Sequence, residues 1–274
     1  MNLGGSNYSF WARVQGRYRR TSARFLSQRP MKFHLDRPIV SFTFDDFPRS
    51  ALHLGGAILK RYHAAGTYYA SLGLMGQETP TGNMFVPQDL QILLREGHEL
   101  GCHTFDHCHP WETSPRDFEA SLLANRRALA ELLPQTLFRS MSYPLSIPTA
   151  RNKRIAGRYF DCCRGRGDFS NVGTADLNFL ASYFLERKLG GPEAALKAIA
   201  KNRQQRGWLI FSTHDIGDDP TPYGWTPGYF ETVVRAAAES GARILPVIQA
   251  WDLLCSAPYA ETAKQSRPTL FREI

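Results

Sequence analysis

Apolar runs and segments of helical spacing alternate along the chain from residue 38 onward. The strand predicted over 39–45 begins Ile-Val-Ser-Phe-Thr-Phe, a nearly unbroken apolar run of the kind found in strands buried on both faces. Runs that predict further strands cover 67–72, 98–102, 137–142, 159–163, 179–184, 208–213 and, briefly, 243–245. Helical spacing is found over 50–65, 87–96, 113–133, 149–157, 192–203, 227–240 and 247–254. Strands that alternate with helices indicate βα units and a parallel sheet.

Acidic and imidazole side chains follow three of these predicted strands. Asp45 and Asp46 end the first strand, His103 and His107 follow the third, and His214 follows the seventh. Chemistry at the carboxyl ends of parallel strands is typical of a barrel with its site on that face. One Asp with two His is a ligand set that leaves coordination positions open for water and substrate. Two neighbouring carboxylates repel each other, so we expect a positive group beside them.

These three stretches resemble the first, second and fifth motifs of a known family, the polysaccharide deacetylases. The family comprises carbohydrate esterases that include chitooligosaccharide and peptidoglycan N-deacetylases. The matching stretches are Thr43-Phe44-Asp45-Asp46, His103-Thr104-x-x-His107 and the strand that ends at His214. The resemblance covers roughly residues 38–254. It implies an α/β fold, namely an incomplete, seven-stranded β/α barrel. It also implies a metal-dependent hydrolase that removes N-acetyl (or O-acetyl) groups from a carbohydrate substrate.

The resemblance also implies a role for each motif residue. Asp46, His103 and His107 would bind a divalent metal ion, and Zn²⁺ is the first choice because nitrogen-rich open sites suit it. Asp45 would take a proton from the attacking water as general base, and His214 would protonate the leaving amine as general acid.

The third and fourth motifs of the family are matched only loosely. Residues 138–146 resemble the third, with Leu145 where an aromatic residue is usual, and its backbone N–H is our candidate for binding the oxyanion. Arg139 and Arg164 both remain candidates for orienting the base. Asp168 and Asp176 both remain candidates for tuning the catalytic histidine.

Four aromatic residues near the motifs are candidates for contact with sugar rings, with buried packing as the alternative for each. They are Trp111, Tyr143, Tyr223 and Trp225. We expect the substrate to be an acetylated oligosaccharide or glycoconjugate.

Two other functions compete with deacetylation. A cyclic-amide hydrolase of the same superfamily is one, and the complete set Asp46, His103 and His107 argues against its metal-free members. A carbohydrate-binding protein without turnover is the other. Asp45 and His214 argue against it, because a binding protein needs neither a base nor an acid.

The positive charge of the chain is concentrated at its N-terminus. The 274 residues carry a formal net charge of +8, but the excess lies before residue 38, so charge does not indicate a nucleic-acid groove. We predict a basic N-terminal arm over 1–37, a barrel domain over 38–255 and a C-terminal tail over 256–274. In the arm, Phe10, Trp11, Val14 and Tyr18 have helical spacing. This helix is expected to pack on the domain or on a second subunit, or to bind anionic lipid or polymer.

The cysteines and the apolar runs indicate the cellular compartment in which the protein works. Five cysteines without Cys-x-x-Cys spacing suggest neither a zinc knuckle nor a disulfide framework. No apolar run has the length of a signal peptide or a membrane span. We therefore expect a cytoplasmic protein with reduced thiols.

Overall fold

The structure is a computed structural model that describes residues 5–186 and 191–256, with side chains from residue 14 onward. Its helices are α1 (Gly5–Phe25), α2 (Ala57–Arg61), α3 (Pro87–Arg95), α4 (Pro115–Leu132), α5 (Ala150–Ala156), α6 (Pro192–Gln205), α7 (Pro227–Glu239) and α8 (Val247–Ser256). Its strands are β1 (Pro30–Lys32), β2 (Ile39–Phe44), β3 (Thr67–Ala70), β4 (Glu78–Thr79), β5 (Gly82–Asn83), β6 (Glu99–Cys102), β7 (Ser140–Ser142), β8 (Cys162–Arg164), β9 (Thr174–Asp176), β10 (Tyr183–Phe184), β11 (Trp208–Thr213) and β12 (Arg243–Ile244). The predicted C-terminal tail lies outside the described residues, apart from Ser256 at the end of α8.

Seven parallel strands form the central sheet in the order β10-β11-β2-β3-β6-β7-β8, and β12 pairs in parallel with β2. The sheet curls into a partial barrel, which confirms the predicted incomplete, seven-stranded β/α fold. Among the described strands, β8 and β10 are the two ends of this order, so the barrel is open between them. Parallel strands with helices between them place all strand carboxyl ends at one face.

Strand burial follows the apolar runs in the sequence. All six residues of β2 and all six of β11 are buried, and these two neighbouring strands pair along their whole length. Phe42 of β2 stacks on Phe211 of β11 with ring centroids 5.5 Å apart. Burial on both faces explains why neither strand alternates apolar with polar residues.

The segment that follows α1 is bound to the barrel domain. Strand β1 pairs antiparallel with β9, and the Arg29 guanidinium donates to the carbonyls of Phe160 (2.9 Å) and Asp161 (2.8 Å). The fully buried Lys153 ammonium of α5 donates to Ala23 O at 2.8 Å and contacts the Asp176 carboxylate at 2.7 Å. The segment before residue 38 therefore makes close contacts with the barrel domain, and the division of the chain into domains stays a prediction.

No helix in the described ranges 5–186 and 191–256 combines the length and the apolar character needed to cross a bilayer.

Candidate active site

Three loops at the carboxyl ends of β2, β6 and β11 bring the predicted motif residues together. Asp45 and Asp46 leave β2, while His103 directly follows β6 and His107 lies in the loop beyond it. Asp46, two residues after β2, has φ 62°, and His107, in the loop beyond β6, has φ 53°; this left-handed conformation turns the chain sharply at both positions. His214 directly follows β11. All five side chains line one cleft.

The donor atoms of Asp46, His103 and His107 fit a divalent metal ion. Asp46 Oδ1 lies 3.4 Å from His103 Nε2 and 3.4 Å from His107 Nε2. One donor atom from each of the three residues lies within 4.8 Å of the other two. Asp46 Oδ1 is also buried and has no hydrogen-bond partner among the described residues, which is costly unless a cation binds there. One carboxylate and two imidazoles therefore form a candidate metal site.

Neighbouring groups orient these three donors. His103 Nδ1 lies 2.8 Å from the carbonyl oxygen of Ser142 at the end of β7, so it carries the proton and leaves the Nε2 lone pair toward the site. The Thr81 hydroxyl donates to Asp46 Oδ2 at 2.9 Å. Burial lowers the pKa of His107, which favours the neutral form that a metal ligand requires.

The buried carboxylate of Asp45 is paired with Arg164, the last residue of β8. The Arg164 guanidinium lies 2.5 Å from both carboxylate oxygens, and the Ser212 hydroxyl donates to Oδ2 at 3.2 Å. Burial raises the pKa of Asp45, but Arg164, His103 and His214 outweigh it, and the pKa lies below its usual value. Asp45 is therefore ionised at neutral pH.

Arg139, the other arginine considered for orienting the base, lies away from the cleft. It immediately precedes β7 and binds Asp252 at 2.8 Å and Asp161 at 2.8 Å. Since β7 begins at Ser140, Arg139 is at the amino end of its strand, opposite the site. Arg164 holds the position beside Asp45.

Neither acid considered as the partner of His214 contacts it. Asp176 is bound by Lys153 at 2.7 Å, and Asp168 lies 3.3 Å from Arg166. The described partner of His214 Nδ1 is instead the carbonyl oxygen of Tyr223, at 3.4 Å. A backbone carbonyl can hold the imidazole tautomer that keeps Nε2 available.

The cleft has a volume of about 690 Å³ and combines the polar site with apolar walls from Leu74, Pro80, Leu145, Ile147 and Phe184. Of the four aromatic candidates, Tyr223 alone is among its lining residues. The others have different contacts. Tyr143 is fully buried and donates to Asn178 O, Trp225 packs against Tyr229, and the Trp111 indole donates to Ile147 O. Apolar character alone did not separate the aromatic residue that lines the cleft from the three that do not.

Leu145 extends from the turn that follows β7 into the cleft. Its side chain is 56% exposed and it has φ 55°, while the next residue, Ser146, has φ 62°. The Ser146 N–H is used within the turn, where it donates to Tyr143 O at 2.8 Å. The backbone here makes the sharp turn for which glycine is best suited, but with two side-chain-bearing residues.

Three residues of the site were not expected from the sequence. Thr81 lies in a loop, and no motif or strand end marks it. Ser142 and Ser212 lie at or near the ends of predicted strands, which is the one signal that could have indicated them.

A family model described as polysaccharide deacetylase matches residues 33–159. This stretch is therefore similar to the polysaccharide deacetylase family over slightly less than half of the chain. The match includes Asp45, Asp46, His103 and His107, and it ends before Arg164 and His214. In the structure His214 lines the same cleft, and the buried Arg164 contacts Asp45. No protein with a curated description matches the chain by sequence.

Solved deacetylase structures share the fold. A family 4 acetyl xylan esterase from Clostridium thermocellum, in complex with cobalt, is 15% identical with a TM-score of 0.57, covering 78% of this chain and 91% of that one. Peptidoglycan deacetylase PdaC from Bacillus subtilis, as a mutant, is 14% identical with a TM-score of 0.54, covering 80% and 92%. A CE4 family pseudoenzyme from Bacillus anthracis is 13% identical with a TM-score of 0.57, covering 80% and 67%. At such low identity these likenesses support the fold alone.

Proposed function

We propose that the protein is a metal-dependent hydrolase that removes N-acetyl or O-acetyl groups from an acetylated oligosaccharide or glycoconjugate. The observation that carries this proposal is the buried Asp46 Oδ1, which lies 3.4 Å from two imidazole nitrogens and has no hydrogen-bond partner in the part of the chain that the structure describes. Asp45, whose carboxylate is paired with the buried Arg164, lines the same cleft. A site that only bound sugars would not require a paired, buried carboxylate beside a metal site.

Asp46, His103 and His107 would hold the metal ion, with Zn²⁺ as our first choice for a nitrogen-rich open site. An ion held there supplies Lewis acidity, which polarises a carbonyl and acidifies water. Thr81 and the Ser142 carbonyl fix the orientation of the ligands, so little reorganisation is needed on binding.

Asp45 accepts the proton of the attacking water at a carboxylate oxygen. Arg164 holds that carboxylate in place and ionised, which keeps it able to accept a proton at neutral pH. The Leu145 N–H donates to the carbonyl oxygen of the acetyl group as negative charge develops there. His214 donates a proton to the nitrogen of the leaving sugar amine, which would otherwise be a poor leaving group.

The test combines metal analysis with acetate release. We expect about one Zn²⁺ per chain in protein purified without chelator, and acetate release from N-acetylated oligosaccharides. His103→Ala and His107→Ala should each lose metal and activity, while His34→Ala should keep both, because His34 is exposed and does not line the cleft. Full metal content in both ligand variants would refute the metal site, and metal binding without acetate release from any substrate would refute the activity.

A carbohydrate-binding protein without turnover is the second candidate, because Leu145 reaches into the cleft with 56% of its side chain exposed. A side chain at this position could hinder the approach of the acetyl group to the backbone donor. Tight binding of an acetylated oligosaccharide without acetate release, by metal-loaded protein, would favour this candidate.

We also propose that the protein works in the cytoplasm. No disulfide joins Cys102, Cys108, Cys162 or Cys163 to one another, and reduced thiols suit a reducing compartment. Burial raises the pKa of Cys102 and of Cys163 to about 12, so these two thiols are unreactive rather than redox-active.

A further inference from the structure

Helix α1 touches the rest of the protein along one narrow face. Ser22 and Ala23 are buried, and Ala23 O accepts a hydrogen bond from the Lys153 ammonium at 2.8 Å. The Arg19 guanidinium lies over the Trp111 ring, 5.0 Å from its centroid. Residues 19, 22 and 23 are three and four apart, so they share one side of a helix. Beside this face, the Arg24 guanidinium lies over the Phe169 ring, 4.6 Å from its centroid, while Val14, Arg17 and Arg20 are exposed.

A second side of α1 is apolar and largely exposed to solvent, with the Tyr18 ring 6.1 Å from that of Trp111 at its edge. Val14, Tyr18 and Phe25 are 43%, 62% and 60% exposed. Their spacings of four and seven residues place them on one face of the helix. Phe10 and Trp11 continue the same spacing in the sequence. A surface helix of a globular protein normally turns its apolar face inward, so this orientation is the reverse of the usual one.

A row of arginines flanks this apolar face. Arg17, Arg20 and Arg24 are exposed and recur at spacings of three and four residues, and Arg13 precedes them at the same spacing in the sequence. No acidic residue occurs in Gly5–Phe25, so no carboxylate within the helix neutralises the row. The helix therefore presents an apolar stripe and an uncompensated positive row side by side.

We propose that α1 docks the protein on an anionic lipid bilayer, lying in the plane of the surface. Val14, Tyr18 and Phe25 would enter the boundary between headgroups and acyl chains, where aromatic side chains are favoured. Arg17, Arg20 and Arg24 would contact lipid phosphates, since basic residues near an anionic surface are attracted to it. Pairing of two copies through the same stripe would bring two arginine rows together without acids to neutralise them, so the charge favours the bilayer.

Docking would hold the cleft beside the membrane. Trp111, which packs on Arg19 and lies 6.1 Å from the Tyr18 ring, donates through its indole N–H to the carbonyl of Ile147 at 2.8 Å. Ile147 lines the cleft. The docking proposal does not depend on the proposed hydrolase activity, because it rests on residues outside the site.

The test is flotation of the full chain with vesicles of phosphatidylcholine alone or with about one quarter phosphatidylglycerol. We expect binding to the anionic vesicles, weak binding to the neutral ones, and weakening as salt is raised. Each of the single variants Arg17→Gln, Arg20→Gln and Arg24→Gln should lower the binding of the protein to anionic vesicles about fivefold. The triple variant Val14→Ser, Tyr18→Ser, Phe25→Ser should abolish it. Acetate release from a soluble substrate, measured in parallel, should be unchanged in all of them.

Matched controls alter exposed residues elsewhere. Arg116→Gln with Arg127→Gln removes charge from α4, and Leu54→Ser with Leu137→Ser removes exposed apolar area, and both pairs should bind vesicles as the parent does. Equal loss in these controls, or equal binding to neutral vesicles, would overturn the proposal. A parent protein that does not bind vesicles, together with a stripe variant whose oligomeric state differs in sedimentation, would also overturn it. The apolar stripe would then be covered by a second copy of the chain. Binding that appears only after residues 257–274 are removed would identify that segment as the occupant.

Discussion

Residues in the left-handed backbone region are concentrated around the candidate site. The described residues include ten non-glycine positions with positive φ, and six of them belong to the loops that build the cleft: Asp46, Phe47, Thr104, His107, Leu145 and Ser146. Such a conformation costs about 1–2 kcal/mol for a residue with a side chain. Backbone strain of this kind persists where the surrounding structure enforces it and is concentrated at functional sites. Here it turns ligands and donors back over the strand ends.

Ser146 allows this cost to be measured. We expect Ser146→Gly to raise the free energy of unfolding by up to about 1 kcal/mol, because glycine adopts φ 62° without strain but loses more entropy on folding. Ser146→Ala keeps the Cβ atom and should show no gain. Denaturant unfolding of the two variants beside the parent checks this, and equal stabilities for Gly and Ala would show that the turn is not strained.

Arg164 and Arg139 form a matched pair for testing which arginine supports the base. Arg164→Gln removes the partner of a buried carboxylate and should cost about 3–5 kcal/mol of stability or abolish activity in the protein that still folds. Arg139→Gln breaks ion pairs with Asp161 and Asp252 outside the cleft and should leave kcat close to the parent value. Kinetics of folded, metal-loaded variants provide the measurement. A large fall in kcat for the Arg139 variant with full activity in the Arg164 variant would reverse the assignment.

Asp45 and His214 can be separated by the leaving group of the substrate. Asp45→Asn should slow hydrolysis of an N-acetyl sugar and of an activated aryl acetate alike, by about 10²-fold or more, because both need activated water. His214→Ala should slow the amide much more than the aryl ester, whose leaving group needs no proton. Metal content is measured for each variant so that lost metal is not taken for lost catalysis. Equal losses on both substrates in the His214 variant would exclude its role as the leaving-group acid.

At the scale of elements, the sequence allowed the strands that carry the site to be predicted, but not the short strands around them. The runs leading to Asp45 and His214 are unbroken because β2 and β11 are buried on both faces, and burial is what hydrophobic pattern reports. Strands β1, β4, β5 and β9 have two or three residues each, too few to show any period. The sequence also placed Arg139 inside a strand, whereas β7 begins one residue later. The exact start of β7 decides whether Arg139 lies at the amino end of the strand, away from the site. Hydrophobic pattern locates the boundaries of an element less well than the element itself.

The way the N-terminal segment is attached predicts where truncation becomes harmful. Removing residues 1–21 leaves Ala23, Leu26 and Arg29, whose contacts with the barrel domain should keep the protein folded and able to bind metal. Removing residues 1–30 takes away the two carbonyls that Lys153 binds at 2.8 and 2.7 Å and leaves a buried ammonium with Asp176 alone. We expect this longer truncation to lose about 3 kcal/mol of stability or more.

Thermal unfolding and metal content of the two truncated proteins make the comparison. Similar melting temperatures for both would show that the Lys153 contacts contribute little. Loss of metal after the shorter truncation would show instead that α1 itself supports the site.

At the scale of the whole molecule, the barrel separates two uses of buried polar groups. At the carboxyl ends of the strands they form the candidate site. At the amino ends, Glu99 of β6 accepts hydrogen bonds from Thr67 (2.8 Å) and the Ile248 N–H (2.9 Å), as well as from Ser140, and so ties β3, β7 and α8 to one carboxyl group. Chemistry at one face and stability at the other is the division expected of a β/α barrel.

His98 belongs to the stabilising end, and its pKa predicts how the molecule responds to acid. Its buried ring accepts a hydrogen bond from the Gly66 N–H at Nδ1 (3.0 Å), and burial lowers the pKa to about 4 despite the nearby Glu96. The unfolded chain takes up a proton on this ring near pH 6.5, before the folded protein does. Neutral His98 therefore contributes fully to the free energy of unfolding above about pH 6.5. This contribution, roughly 3 kcal/mol, is lost as the pH falls toward 4.

Replacing His98 with a residue that does not titrate separates the effect of its protonation on stability from that of the proposed metal ligands. His98→Asn offers Gly66 an acceptor and stays neutral, so its stability should fall less steeply between about pH 6.5 and pH 4 than that of the parent. The measurement is denaturant unfolding of both proteins at several pH values, with chelator present throughout. The two curves are expected to diverge on acidification by roughly 3 kcal/mol, because the remaining titrating groups are common to both proteins. Parallel curves would show that the His98 ring is protonated in the folded protein without penalty, and acid sensitivity would then have to come from the carboxylates and histidines of the cleft.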